Sequence, residues 1–279
     1  MNKKIVTFLL AASLACTLCA CTQKENGNQQ NNQNTEIGTN QNVESVTALD
    51  PDASHYHLIT RETPYSVQSK DETVTYIQSK VAEASFVALE RVNSPCAKEM
   101  NKVLEHAMNR NNSVNDELMD TLNNVFMDSD ADFEKLGFPW GVETSYELIK
   151  NDGKAISLLE HVRYYAGGAQ PSDSTFVYNF DPETGKQIVQ VYYDGGNEER
   201  DAADDLVYNL LKEKYGEENI NYDYIQSSFV ESLVDCWHFT ENGIKINVNP
   251  GIIAPFAAGT FELELSKDQL APSAQKYFK

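Results

Sequence analysis

The residues of this 279-residue chain that could carry chemistry are its five histidines, five cysteines and 42 acids, and spacing decides what they can do. His55 and His57 lie two apart, close enough to share a metal. No cysteine, third histidine or placed acid completes a ligand set around them, so they read as surface residues. His161 falls mid-strand beside Glu160 and close to Arg163, and is expected in a cross-strand pair rather than as a general base. Asp128, Asp130 and Asp132 begin like a calcium loop. Phe133 stands where that loop needs Gly, however, and Pro139 where it needs Glu, so they read as a solvated acidic turn closing a helix. There is no GxSxG elbow, HExxH pair, P-loop or dinucleotide-binding glycine fingerprint. The expectation is a non-catalytic chain with no metal and no cofactor.

Charge narrows the partners. Against the 42 acids stand 22 Lys and Arg, a formal net charge of −20. That balance excludes nucleic acid, whose binders neutralise phosphates with clustered bases, and a basic patch on anionic lipid. Glu198, Glu199, Asp201, Asp204 and Asp205 open a helical stretch, where carboxylates favour the positive end of the dipole. Five exceed what capping needs, and a large negative field steers cationic partners.

The first 20 residues read as a leader. Lys3 and Lys4 precede an apolar run over 5–18 that is too short for a comfortable membrane span. It ends in Leu18-Cys19-Ala20-Cys21, which resembles the lipobox of bacterial lipoproteins. This predicts diacylglycerol on Cys21 and a chain held in the membrane, the outer one, by its lipid anchor. Losing Lys3 and Lys4 would take the net charge from −20 to −22. Of the next 22 residues, over 22–43, twelve are Asn or Gln, a tract too polar to offset its ordering entropy and so a tether. With Cys16 and Cys19 in the leader and Cys21 lipidated, only Cys96 and Cys236 remain. An even pair in an oxidising compartment is a candidate disulfide, worth roughly 5 kcal/mol in the chain-entropy model, and two buried thiols are the other reading.

Elements must position whatever chemistry there is. Residues 73–89 are strand-like, and 97–109 and 115–126 read as two amphipathic helices. Strands follow over 142–149, 155–165, 175–180 and 187–193, separated by Asn151-Asp152-Gly153, Ala166-Gly167-Gly168 and Asp181-Pro182-Glu183-Thr184-Gly185. Residues 199–215 form the best helix, with Gly216 as its natural stop, and strands are expected over 235–240, 244–248 and 260–265. Strands in runs and helices in blocks point to an α+β fold with a mainly antiparallel sheet and two closely packed subdomains. The expected order is leader 1–20, tether 21–50, an N-terminal α+β subdomain 51–138, a C-terminal domain 139–270 and a tail 271–279.

Tyr164-Tyr165-Ala166-Gly167-Gly168-Ala169-Gln170-Pro171 and the later Tyr178-Asn179-Phe180-Asp181-Pro182-Glu183-Thr184-Gly185-Lys186 are similar to a paired signature, Y-x-GGAH and N-x-D-x-x-TGK. It marks a bacterial envelope domain of unknown function that also forms the C-terminal half of RsiV-type lysozyme-sensing anti-sigma factors. Phe239-Thr240-Glu241-Asn242-Gly243-Ile244 and Pro255-Phe256-Ala257-Ala258-Gly259 match its later segments in order, so the resemblance covers roughly 140–270. It implies a binding domain, with a cationic protein such as lysozyme as partner, and a candidate surface at Tyr164, Tyr165, Gly167, Gly168 and Gln170. Gln170 stands where the family has His, so no role of an ionisable imidazole carries over. The paired glycines also have a purely structural reading as a positive-φ connection. The rival function is a hydrolase or accessory protein acting on peptidoglycan.

Overall fold

The computed structural model describes residues 44–47, 56–88, 94–220 and 228–278. Cys21, the leader and most of the tether lie outside them. A sheet of six strands runs in sequence order: β1 (Glu44–Thr47), β2 (Tyr56–Gln68), β3 (Thr75–Ala88), β4 (Gly141–Asn151), β5 (Ile156–Tyr165) and β6 (Ser172–Phe180). Neighbours are antiparallel except β3 and β4, which run parallel because a long helix, α1 (Pro95–Met127), crosses between them. A second, three-stranded antiparallel sheet, β7 (Trp237–Phe239), β8 (Gly243–Val248) and β9 (Phe261–Ser266), packs with α2 (Asn197–Tyr215). The architecture is α+β, as expected. The expected boundary at 138/139 falls between β3 and β4, inside one sheet.

α1 is one helix of 33 residues where the sequence suggested two. Ser94 caps it, accepting from the Ala97 amide at 3.3 Å, and Pro95 fills the first turn. Its buried stripe is Ala97, Met100, Leu104, Ala107, Asn111, Asn115, Leu118 and Leu122, an unbroken three-four spacing. The two asparagines look like a break because they are polar, yet they sit on the inner face and Asn111 has a partner there. Nothing between them is Gly or Pro, so the hydrogen-bond ladder continues.

Residues 187–193 are not a strand. The Ile188 amide bonds the Asn179 carbonyl at 2.8 Å, but then Gln190 Oε1 accepts from the Tyr192 and Tyr193 amides while its Nε2 donates to the Tyr193 carbonyl. A side chain that captures its own backbone removes the donors a neighbouring strand would need. The tail is also core: Ala271, Ala274 and Phe278 are buried against the second sheet.

The second sheet is mounted on β5 and β6 by a polar zipper. Ser157 Oγ donates to Asn179 Oδ1 at 2.6 Å and accepts from the Phe239 amide, Asn179 Nδ2 donates to the Trp237 carbonyl at 2.7 Å, and Asn249 exchanges two bonds with the Thr175 backbone. Along β5 the odd residues face away from α1. Ser157 and Leu159 are buried there, while His161 and Arg163 stay at the surface. That part of the sheet stays open to solvent.

The cysteines are not bridged. Cys96 opens α1, its Sγ donating to the Glu183 carbonyl at 3.1 Å, whereas Cys236 lies in the second core with its Sγ against Asp235 Oδ1 at 3.6 Å. Each thiol has a neighbour of its own in a different core, so the expected disulfide is corrected to two thiols.

Candidate functional site

Alternation along the strands sends one set of side chains of each strand to the open sheet face, and register lines them up across it. Lys80 stands opposite Glu143, Glu143 opposite Arg163, and Arg163 opposite Asp173. Lys80 also pairs with Glu62 of β2 at 2.6 Å. The result is a ladder of alternating sign, Glu62, Lys80, Glu143, Arg163, Asp173, running over five strands. It lines an open groove of about 440 Å³ together with Ser145, His161 and Thr175. A smaller recess of about 120 Å³ continues from it, sharing Glu143 and Arg163 and ending at Gln78, Pro139, Gly141 and Tyr165.

His161 occupies the second row of the groove, in register between Ser145 and Thr175. Its Nε2 lies 3.4 Å from Glu147 Oε2 and its Nδ1 3.4 Å from Thr175 Oγ1. The imidazole is in a cross-strand pairing, as the sequence suggested. Among the described residues, no group of three His, Cys, Asp or Glu could hold a metal ion. The Asp128–Asp132 segment is a turn: Asp128 Oδ1 accepts from the Asp130 amide, and Asp132 pairs with Lys135 at 2.5 Å. His55 lies outside the described residues, and His57 is in β2 opposite Val87.

A glycine turn follows β5. Gly167 and Gly168 have φ of +88° and +103°. A Cβ on Gly167 would lie 2.7 Å from the Leu136 carbonyl oxygen, which already accepts from Trp140 Nε1 at 2.9 Å, so this glycine permits a close approach. Gly168 meets nothing within 4 Å and is needed only for its dihedral. The Tyr165 hydroxyl donates back to the Gly168 carbonyl at 3.0 Å, which fixes the ring at the mouth of the recess. Tyr164 is turned to the α1 side, where burial first and Glu117 second push its phenol above the ordinary value. Gln170 is exposed beyond the turn. Of the five predicted positions, Tyr165 lines the smaller recess, Gly167 and Gly168 form the turn that follows β5, and Tyr164 faces elsewhere.

The other half of the resembling signature is architectural. Asp181 Oδ1 accepts from the Glu183 and Thr184 amides, and Oδ2 from Lys276 and Tyr277. Burial opposes ionisation of Asp181, but Lys276 and the two amides outweigh it and hold the carboxyl below the ordinary value. Gly185, at φ +69°, lies so close to Cys96 that any side chain would meet its backbone. The Tyr56 hydroxyl donates to the Pro182 carbonyl at 2.9 Å. This turn ties β2, α1, β6 and the C-terminus together.

Beneath the groove, on the α1 side, lies a buried charge that sequence reading missed. Glu160 is fully buried and accepts from Arg110 Nη2 at 2.5 Å, Tyr178 at 2.6 Å, Tyr146 at 3.1 Å and Asn111 Nδ2. The Arg110 guanidinium also lies 4.2 Å over the Phe176 ring. Asp235, half-buried, is a second acid within the field of Arg110, its pKa raised by burial. The acids at the start of α2 prove partly structural. Asp204 accepts from Ser228 and the Val230 amide, and Glu199 caps the Asp194 and Gly195 amides. Strand alternation alone puts Glu160 on the core face and Arg163 on the open one; what pairs with each is set by register and by α1.

These features define a class, a two-sheet α+β domain with a polar groove on the open face of its larger sheet. The same fold occurs in the crystal structure of a DUF3298 family member from Bacteroides fragilis, with a TM-score of 0.61 and 11% sequence identity over 81% of this chain and 97% of that one. A DUF3298 family protein from Pseudomonas aeruginosa aligns with a TM-score of 0.45 and 14% identity over 78% of this chain and 95% of that one. No protein-family model matches the sequence, and no curated protein does. The likeness is one of fold, to bacterial domains of unknown function.

Proposed function

We propose that this chain is a lipoprotein of the bacterial envelope, anchored through Cys21, whose folded part is a non-catalytic binding domain of the DUF3298 type. One observation carries the binding reading: five strands deliver a ladder of alternating charge to an open groove. Such a surface offers directional polar contacts in fixed register. The partner we propose is a cationic protein that reaches the envelope, such as lysozyme. The net charge of −20 steers it in, while the alternating ladder sets the register of docking.

Titration of the secreted chain carrying Cys21→Ser with lysozyme, at low and physiological salt, tests this reading. Binding should persist at physiological salt and weaken about tenfold with Glu143→Lys, which places three like charges side by side in the ladder. Binding confined to low salt and indifferent to Glu143→Lys or Tyr165→Ala would mean bulk charge attraction and would sink the assignment. Turnover of peptidoglycan by the same protein would overturn the non-catalytic reading. Mass spectrometry of the mature N-terminus tests the anchor, which requires acyl chains on Cys21.

A further inference from the structure

We infer that the end of the molecule where α1 stops is a docking site for a basic amphipathic helix of a partner protein, separate from the groove and independent of what the groove binds. Eight large apolar side chains are exposed among the described residues, and three of them, Phe126, Met127 and Phe133, belong to this end. The aromatic ones are continuous: Phe126 lies 5.3 Å from Phe133 and 5.1 Å from Tyr76, which in turn lies 5.2 Å from Phe138. Met127 is 87% exposed at the last position of the helix. A contiguous apolar surface that the fold leaves in water marks an interaction site, and Met and Phe are the side chains that adapt to a partner's shape.

The rim states what the partner must carry. Helices ordinarily end in bases, which complement the partial negative charge of their last carbonyls. The last turn of α1 has none, and Asp128, Asp130 and Asp132 follow it, all exposed. The nearest base in the sequence after the helix, Lys135, pairs with Asp132. Over 116–135 the sequence holds seven acids and one base. An apolar centre with an acidic rim complements a segment with Leu-like residues on one face and Lys or Arg beside them. A second copy of this chain would bring the same aspartates against these, and an anionic bilayer would be repelled by them.

The test uses the secreted chain carrying Cys21→Ser and a short synthetic helix with Leu on one face and Lys on the other, followed by fluorescence anisotropy at physiological salt. A permuted peptide of the same composition, without an apolar face, controls for charge. The amphipathic peptide should bind, and Phe126→Ser with Met127→Ser should weaken it about tenfold, with Val189→Ser as an exposed apolar control that changes nothing. Met127→Ser alone, at a side chain almost wholly in water, should weaken binding several-fold with the fold intact. Equal binding of the permuted peptide, or no loss in the Met127 variant, would overturn the inference. So would a concentration-dependent dimer abolished by the double variant, which would give the patch to a second copy.

Discussion

Replacing Glu160 by Gln should be among the most costly single changes in the six-stranded sheet, and the cost can be worked from its four contacts. The carboxylate is fully buried, with Arg110 and Tyr178 on Oε2 and Asn111 and Tyr146 on Oε1. An amide turns one acceptor into a donor facing donors, and it strips Arg110 of its counter-charge. Removing one partner of a buried pair costs about 3–5 kcal/mol. The Arg110 side chain keeps 27% of its exposure and some solvation, which places Glu160→Gln near the lower end, about 3 kcal/mol. Arg110→Met should cost more, about 4–5 kcal/mol, because the charge it strands has no water at all. Tyr178→Phe removes one hydrogen bond to a charge, about 2 kcal/mol, and Tyr146→Phe, with the longer bond, about 1.5 kcal/mol. Urea denaturation at neutral pH, followed by circular dichroism, reads these as shifts in midpoint at constant slope. A Glu160→Gln loss below about 1 kcal/mol, or a Tyr178→Phe loss exceeding it, would refute the view that a buried carboxylate organises this network. The same network sets an alkaline limit. Burial first, and then the Glu160 charge, raise the phenols of Tyr146 and Tyr178 well above the ordinary value. They stay protonated in the fold while the unfolded chain loses those protons. Stability should therefore fall as pH rises past about 10, by about 1.4 kcal/mol per pH unit for each tyrosine, and fall less steeply in Tyr178→Phe.

Two further outcomes follow from the turns. Because Asp181 is held below the ordinary carboxylate value, its contribution is present above the unfolded value of 3.8 and is lost as pH falls through the folded one, so Asp181→Asn should lower stability at pH 7 and flatten the acid limb of a stability–pH curve. Gly168→Ala should cost only the strain of a positive φ, about 1–2 kcal/mol, whereas Gly167→Ala must also displace the Leu136 carbonyl and should cost clearly more; equal losses in thermal melts would contradict the close approach.

What could be read without coordinates was what neighbouring residues decide among themselves. Alternation in β3 through β6, the stripe and Gly216 stop of α2, and the α+β class are local patterns, and the structure contains them. β2 went unread because Pro64 and its charged neighbours look like loop, yet β2 pairs with β3 along its length, Pro64 opposite Lys80. Asn111 looked like a helix break until Glu160, 49 residues away, supplied its partner. The two cysteines looked like a bridge until the fold put them in separate cores. The ladder from Glu62 to Asp173 is the clearest case. The alternation of each strand is written in its sequence, but the register between strands depends on turn geometry and on how α1 crosses from β3 to β4. A shift of one residue would turn Arg163 from the groove to the core. Local chemistry chose the strands, and long-range packing chose which charges face one another.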